Sequence, residues 1–343
     1  MELKSGRVYD LILEGVNNGY VDIHITSNMG VSATKPSGLY HLDLEPIDLS
    51  SIVNELSPSD KEFLYSTGDI DLSFKVDEFR ARGCLYLSQS NYKLTIRILP
   101  NTCRNFEEID TIGTGTLREL TKLEKGLVLI TGPTGSGKTT TLNALINHIN
   151  NTTGKHIITI EDPIEFSHKD IKCRITQREY RVDFHDFEQA LLSALRQGPD
   201  IILVGELRTK EAISLALSAA ETGHLVLATL HTSDVTSAIT RLVDSFPANE
   251  QSQIRTMLSM SLRGVVCQKL IFDKRRNKST PILEIGLKCA QLSSAIKDGR
   301  THQIKQILQT NRRLGMISFA DYLKEAVQKS LIDRDVINVI DIE

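Results

Sequence analysis

Residues 132–139 read Gly-Pro-Thr-Gly-Ser-Gly-Lys-Thr, glycines at fixed offsets followed by a lysine and a hydroxyl residue. Those types at that spacing suit the holding of a phosphate chain. Gly132, Gly135 and Gly137 let the backbone turn its N–H groups inward with no Cβ in the way, and Pro133, Thr134 and Ser136 complete the loop. Inward N–H groups, with the N-terminus of a following helix, make a nest for an anionic β-phosphate. Lys138 would reach the β- and γ-phosphates, the Thr139 hydroxyl would ligate Mg2+, and Thr140 continues the cradle into the helix. The apolar run Val128 to Thr131 precedes the loop and the helical stretch Thr139 to Ile149 follows it, so the motif has the strand and helix it needs. A merely structural turn would require neither the lysine nor the threonine. The pattern says nucleotide and leaves the reaction open.

Hydrolysis of a Mg2+-bound nucleotide needs three further roles: orienting the metal, activating a water and reading the γ-phosphate. In an open parallel sheet, ligands sit outside the carboxyl ends of the strands. The residues just past each apolar run therefore test whether there is a single site. His156-Ile-Ile-Thr-Ile runs into Glu161-Asp162-Pro163-Ile164-Glu165, Asp200 to Gly205 ends at Glu206, and His224 to Leu230 ends at His231. Glu165 is the candidate to orient and deprotonate the attacking water. Glu206 suits the outer sphere of Mg2+ or water positioning, and His231 the sensing of the γ-phosphate. Glu161 and Asp162 serve equally well as caps of the turn before Pro163. His224, at the other end of its run, has a structural role at least as readily as a functional one.

The elements that must carry these residues are short β-branched runs alternating with helical stretches from Gly126 onward, the signature of a parallel sheet with crossover helices. The runs are Val128 to Thr131, Ile157 to Ile160, Ile201 to Val204 and Leu225 to Leu230; the helices between include Phe187 to Leu195 and Lys210 to Thr222. After Pro247 the chain reads as mainly helical, interrupted by a basic turn at Lys274 to Lys278. The first hundred residues read as an α+β module. Tyr20 to Ile25 alternates as a strand and a polar stretch follows. A helix over 51–66 would bury Ile52, Val53, Leu56, Phe63 and Leu64, and strands follow at Asp71 to Val76, Cys84 to Ser88 and Lys93 to Leu99. The expected organisation is a smaller α+β domain over 1–100, a linker over 101–115, and an α/β nucleotide-binding domain with a helical C-terminal part over 116–343.

At 343 residues the chain is long enough for two cores. A hydrophobic share of 40% and a charged share of 24% are those of a globular protein, and a net charge of −3 gives no reason to expect nucleic acid as a partner. No apolar run is bilayer-length and no signal peptide is visible, so any membrane contact would come through a protein partner. The five cysteines are widely spaced with no CxxC pair, which points away from zinc or a disulfide framework and fits a reducing cytoplasm.

Residues 126–270 resemble the secretion ATPase superfamily, and within it the PilT-type pilus retraction ATPases. The resemblance is carried by GLVLITGPTGSGKTTTLNAL, ITIEDPIEF, PDIILVGELR, AAETGHLVLATLHTSD, RLVDSFP and SLRGVVCQKLI. It implies a RecA-like P-loop NTPase core preceded by a PAS-like domain, ATP with Mg2+ as ligands, a homohexameric ring, and an inner-membrane platform protein as partner. It also implies that arginines of the first module reach nucleotide at a subunit boundary; the matching positions are Arg80, Arg82 and Arg97, while Ser90 stands where many relatives have another arginine. The chain lacks the four-cysteine element of many assembly ATPases. Its 289–299 segment, CAQLSSAIKDG, only loosely echoes the AIRNLIRE of retraction ATPases, whereas LGMISFADYLKEAVQKSLI resembles the retraction type more closely. Gly198 replaces an acidic residue common in relatives. The alternatives are the ATPase of a related secretion or pilus-assembly system and, with less support, a DNA-handling RecA-like ATPase or a small-molecule kinase, which share the phosphate cradle.

Overall fold

The computed structural model describes residues 1–35, 37–99, 105–109, 112–273 and 278–334. Two compact units divide the chain: Met1–Thr102 with Glu165–Ser167, and Cys103–Ile164 with His168–Glu343.

The first unit is built on a seven-stranded sheet in the order Glu2–Leu3, Asp69–Val76, Phe79–Ser88, Asn91–Ile98, Asp22–Thr26, Gly30–Lys35, Gly38–Leu42. Its pairings are antiparallel apart from the two-residue strand at Glu2–Leu3. Period-2 alternation sends Ile23, Ile25, Phe74, Leu85, Leu94 and Ile96 into the core, where Leu11 and Ile12 of the helix Arg7–Asn18 meet them. That helix was not anticipated, and the polar stretch after Ile25 proves to hold two strands, Gly30–Lys35 and Gly38–Leu42. The stretch 51–66 is two helices, Ser50–Glu55 and Pro58–Thr67. Ser57 breaks it: its hydroxyl accepts from the Asp60 N–H, and Pro58 at the first helical position starts a new helix. The break turns Phe63 out to solvent, contrary to the buried position expected for it.

The second unit carries another seven-stranded sheet, in the order Arg174–Glu179, His156–Glu161, Ile201–Val204, Leu225–Leu230, Gly126–Thr131, Leu262–Asp273, Lys278–Leu287. All neighbours are parallel except the last pair. The region after Pro247 is more helix than strand, but it also holds a hairpin that was not expected: Leu262–Asp273 and Lys278–Leu287 pair and extend the sheet. The first of these strands is buried on both faces through Gly264 to Gln268, so it shows a continuous run rather than alternation, and periodicity does not separate such a run from a buried helix. The rest of the basic turn, residues 274–277, lies outside the described residues. Within 101–115, residues 101–104 and 110–111 also lie outside them, while Phe106 and Ile109 of the helix Phe106–Ile109 are buried in the second unit's core.

Ser88 and Asn91 pair directly, so Gln89 and Ser90 alone make the connection between their strands. Both have positive φ, 52° and 62°. A two-residue hairpin of this kind favours Asn-Gly, and left-handed backbone costs other residues about 1 kcal/mol or more each. Replacing Gln89-Ser90 by Asn-Gly is expected to stabilise the first unit by about 1 kcal/mol. Chemical denaturation would show this as a higher midpoint at unchanged slope; a lower midpoint would contradict the turn geometry.

Candidate active site

The register of the second sheet sets the site. Ile160, Val204, Ala228 and Leu129 lie side by side across four strands, and Leu230 is level with Thr131. Two of these strands end within a residue of that row and the other two run two residues further, so the residues that follow them emerge along one edge. Hydrogen bonds lock the ends: the Gly205 N–H donates to the Ile160 carbonyl at 2.8 Å, the Leu207 N–H to the Thr229 carbonyl at 3.1 Å, and the Thr229 hydroxyl to the Gly205 carbonyl.

Past Thr131 the chain turns through the glycine loop into the helix Lys138–Thr152. Gly132, Gly135 and Gly137 have φ of 147°, 77° and 85°, which other residues rarely adopt. A Cβ on Gly132 would also collide with the carbonyl of Gln268. Gln268, on the neighbouring strand and 2% exposed, is the loop's fastening. Its Nε2 donates to the Ser136 carbonyl at 2.6 Å and its Oε1 accepts from the Thr141 hydroxyl at 2.7 Å. Nothing in the residues around Gln268 assigns it a role from sequence alone. Its signal lay in a polar residue at the end of an apolar run, and that run was read as helix.

Lys138 is 8% exposed. Its ammonium donates to the Gly132 carbonyl at 2.8 Å and the Pro133 carbonyl at 3.1 Å, and stands 3.4 Å from His231 Nδ1. The other nitrogen of His231 is 3.6 Å from Glu206 Oε1. Glu206 Oε2 accepts from Arg208 Nε at 2.7 Å, and Arg208 Nη1 reaches Asp162 Oδ2 at 3.4 Å. The hydrogen bond to Glu206 raises the Arg208 guanidinium above the usual arginine range, so it is a permanent cation here. Three of the anticipated residues, Lys138, Glu206 and His231, thus form one connected cluster; Arg208, which had no role in the sequence reading, and Asp162 extend it.

Other residues fall elsewhere. Glu161 is buried, accepting from the Thr159 hydroxyl at 2.6 Å and the Gln177 amide at 3.2 Å. His224 lies before its strand, with its own N–H and its Nδ1 both at the Ala219 carbonyl. Gly198 has φ +65°, which accounts for glycine at that turn. Glu165 belongs to the three-residue stretch grouped with the first unit. There, Arg82 and Arg97 are direct cross-strand partners and Arg80 is two residues before Arg82, so the three share one face of the first sheet. Arg97 pairs with Asp22 at 2.7 Å, and Arg82 with Asp71 at 3.4 Å.

A polyphosphate fits this loop. Its glycine backbone leaves no room for side chains at Gly132, its cation is turned on backbone carbonyls, and the Ser136 hydroxyl is buried without a hydrogen-bond partner.

Parallel sheet, glycine loop, buried lysine and strand-end carboxylate together define a P-loop ATPase. Residues 48–334 match the family described as type II/IV secretion system protein, and the chain belongs to that family. It is 38% identical over 338 residues to the type IV pilus retraction ATPase PilT of Pseudomonas aeruginosa, covering 96% of both chains. It is also 38% identical over 313 residues to an uncharacterised Escherichia coli protein, YggR, covering 90% of this chain and 95% of that one. Among solved structures, the pilus retraction motor PilT with bound ADP superimposes with a TM-score of 0.81 at 32% identity, over 93% of this chain and 97% of the other.

Gln268→Leu leaves the Thr141 hydroxyl and the Ser136 carbonyl unsatisfied in buried surroundings, at a cost of about 2–4 kcal/mol. The variant is expected to melt at lower temperature and to bind a fluorescent ATP analogue roughly tenfold more weakly. Unchanged affinity in a folded variant would show that the fastening does not shape the loop.

Proposed function

We propose that the chain is the hexameric ATPase that powers type IV pilus retraction, hydrolysing ATP to ADP and phosphate. It would work on the cytoplasmic side of the inner membrane, docked through the pilus platform protein. The observation that carries this reading is the near full-length match to the retraction ATPase, which spans both units rather than the nucleotide core alone. No helix among the described residues is long and apolar enough to cross a membrane, in keeping with docking through a partner.

In this reading the loop 132–137 and Lys138 hold the phosphates, and Glu165 takes the proton from the attacking water. Bound Mg2+, held by the Thr139 hydroxyl and through the outer sphere by Glu206, would neutralise charge on the β- and γ-phosphate oxygens. His231, touching both Lys138 and Glu206, is the residue whose contacts change when a γ-phosphate arrives. It stands four residues before Val235, where the helix Val235–Asp244 begins, so a change at His231 has a short path into a rigid element. Arg80, Arg82 and Arg97 supply the positive charge that the first unit brings to nucleotide, an arrangement that makes turnover depend on assembly. The second reading, an ATPase of a related secretion system, draws on the family description, which embraces both kinds of machine.

Phosphate release measured across protein concentration tests the ring. Specific activity is expected to rise with assembly, Glu165→Gln to bind nucleotide without turnover, and Lys138→Ala to lose binding. Concentration-independent turnover by a monomer would refute it. A deletion strain is expected to be hyperpiliated and non-motile; a bald strain would favour the assembly role.

A further inference from the structure

The chain leaves the second unit after Ile164 and returns at His168. Both ends of this excursion are fastened to one strand, Arg174–Glu179. At the exit, the Ile164 N–H donates to Glu179 Oε2 at 3.3 Å; at the return, the His168 N–H donates to Gln177 Oε1 at 2.8 Å. Gln177 and Glu179 are two apart and so share a face of the strand.

The return end has a second fastening. His168 Nε2 lies 2.6 Å from Asn143 Oδ1, and Asn143 is 3% exposed on the phosphate-binding helix. The direction of that bond is fixed by its neighbours. Asn143 Nδ2 donates to the Thr139 carbonyl at 2.8 Å, so Oδ1 is the acceptor and His168 must carry its proton on Nε2. Burial pushes the imidazole down to about 4, so at neutral pH the ring is uncharged and this single N–H is its only donor. A histidine held neutral, of fixed tautomer and hydrogen-bonded to a buried amide is more than solvated surface, and none of the roles assigned so far uses it.

We propose that His168 is a positioning residue for ATP hydrolysis: its hydrogen bond to Asn143 ties the segment carrying Glu165 to the helix carrying Thr139. This rests on the assignment of Glu165 as the residue that activates water. Glu165 stands three residues before the anchor and Asn143 one helical turn after Thr139, so the linkage joins the water-activating and metal-holding groups by a short covalent path at each end.

The test is steady-state ATPase kinetics on the full-length assembled protein. His168→Ala is expected to lower kcat roughly 10- to 100-fold, as small misplacements of a reacting group do, with KM for ATP and ring assembly unchanged. His168→Gln, whose amide can donate to Asn143 from a similar reach, is expected to restore most of that loss. Asn143→Leu removes the acceptor instead of the donor, and should lose kcat alone without adding to the loss of His168→Ala in the double variant. Wild-type kcat in His168→Ala, a glutamine variant as impaired as alanine, or additive losses would each overturn the anchor. Glu165→Gln is measured beside them: turnover surviving that change overturns the assignment of Glu165, whereas turnover abolished by it and untouched by His168→Ala overturns the anchor alone.

Discussion

A lysine ammonium inside a loop of its own backbone carbonyls is the constraint from which the rest of the second unit follows. Lys138 is 8% exposed, and burying an ammonium is costly unless oxygen atoms surround it. Two carbonyls, those of Gly132 and Pro133, supply part of that surrounding. They can do so only because the chain at Gly132 takes a φ of 147° and packs against Gln268 too closely for any side chain. The loop is thus shaped around a cation, and an anion placed in it meets an ammonium whose surroundings are already built. That is the preorganisation on which phosphate chemistry depends, because donors fixed beforehand need not reorganise as charge develops.

The sheet makes this local device into a site. Parallel pairing brings the ends of these four strands to one edge within two residues of each other, so charged residues that follow in sequence emerge as neighbours in space. Glu206 and His231 meet there although 25 residues separate them in the chain. The hydrophobic cost of building such an edge is low. The strands behind it are wholly apolar or nearly so and buried on both faces, which is what a sheet covered on both sides requires.

How much of this was legible in the residues depends on whether the signal was local. The phosphate loop, its strand and its helix could be read directly, because glycine offsets and a Lys-Thr pair have one economical use. The strand ends at Glu206 and His231 were legible too, since turn chemistry marks where each buried run stops. What escaped detection depended on long-range partners. Gln268 acquires meaning only when its strand lies beside the loop, 132 residues away from Ser136. Arg208 and Asp162 meet across two strand ends, and nothing in their spacing says so. In the first unit, Gly38–Leu42 is an edge strand exposed along nearly its whole length, and Gly30–Lys35 beside it buries only Val31 and Ala33, two small residues that make too short an apolar alternation to reveal a strand. The single helix expected over 51–66 failed at Ser57-Pro58, a cap and first-turn pair that apolar spacing alone overrides.

The ionic chain at the strand ends is weakly held. The chain runs from Asp162 through Arg208, Glu206 and His231 to Lys138, with contacts of 2.7 to 3.6 Å. Arg208 is largely exposed, with 60% of its side chain open to solvent, and pairs of that kind contribute at most about 1 kcal/mol. The relay therefore holds Glu206 in place without trapping it. A ligand competing for Glu206 has only that small energy to displace, while the loop and strand ends stay fixed by buried hydrogen bonds that cost more to break. A rigid frame carrying weakly held charges is the arrangement in which ligand chemistry moves side chains first. His231 sits between Lys138 and Glu206 and lies four residues ahead of Val235, so a displacement of it would have a short covalent path to a helix terminus.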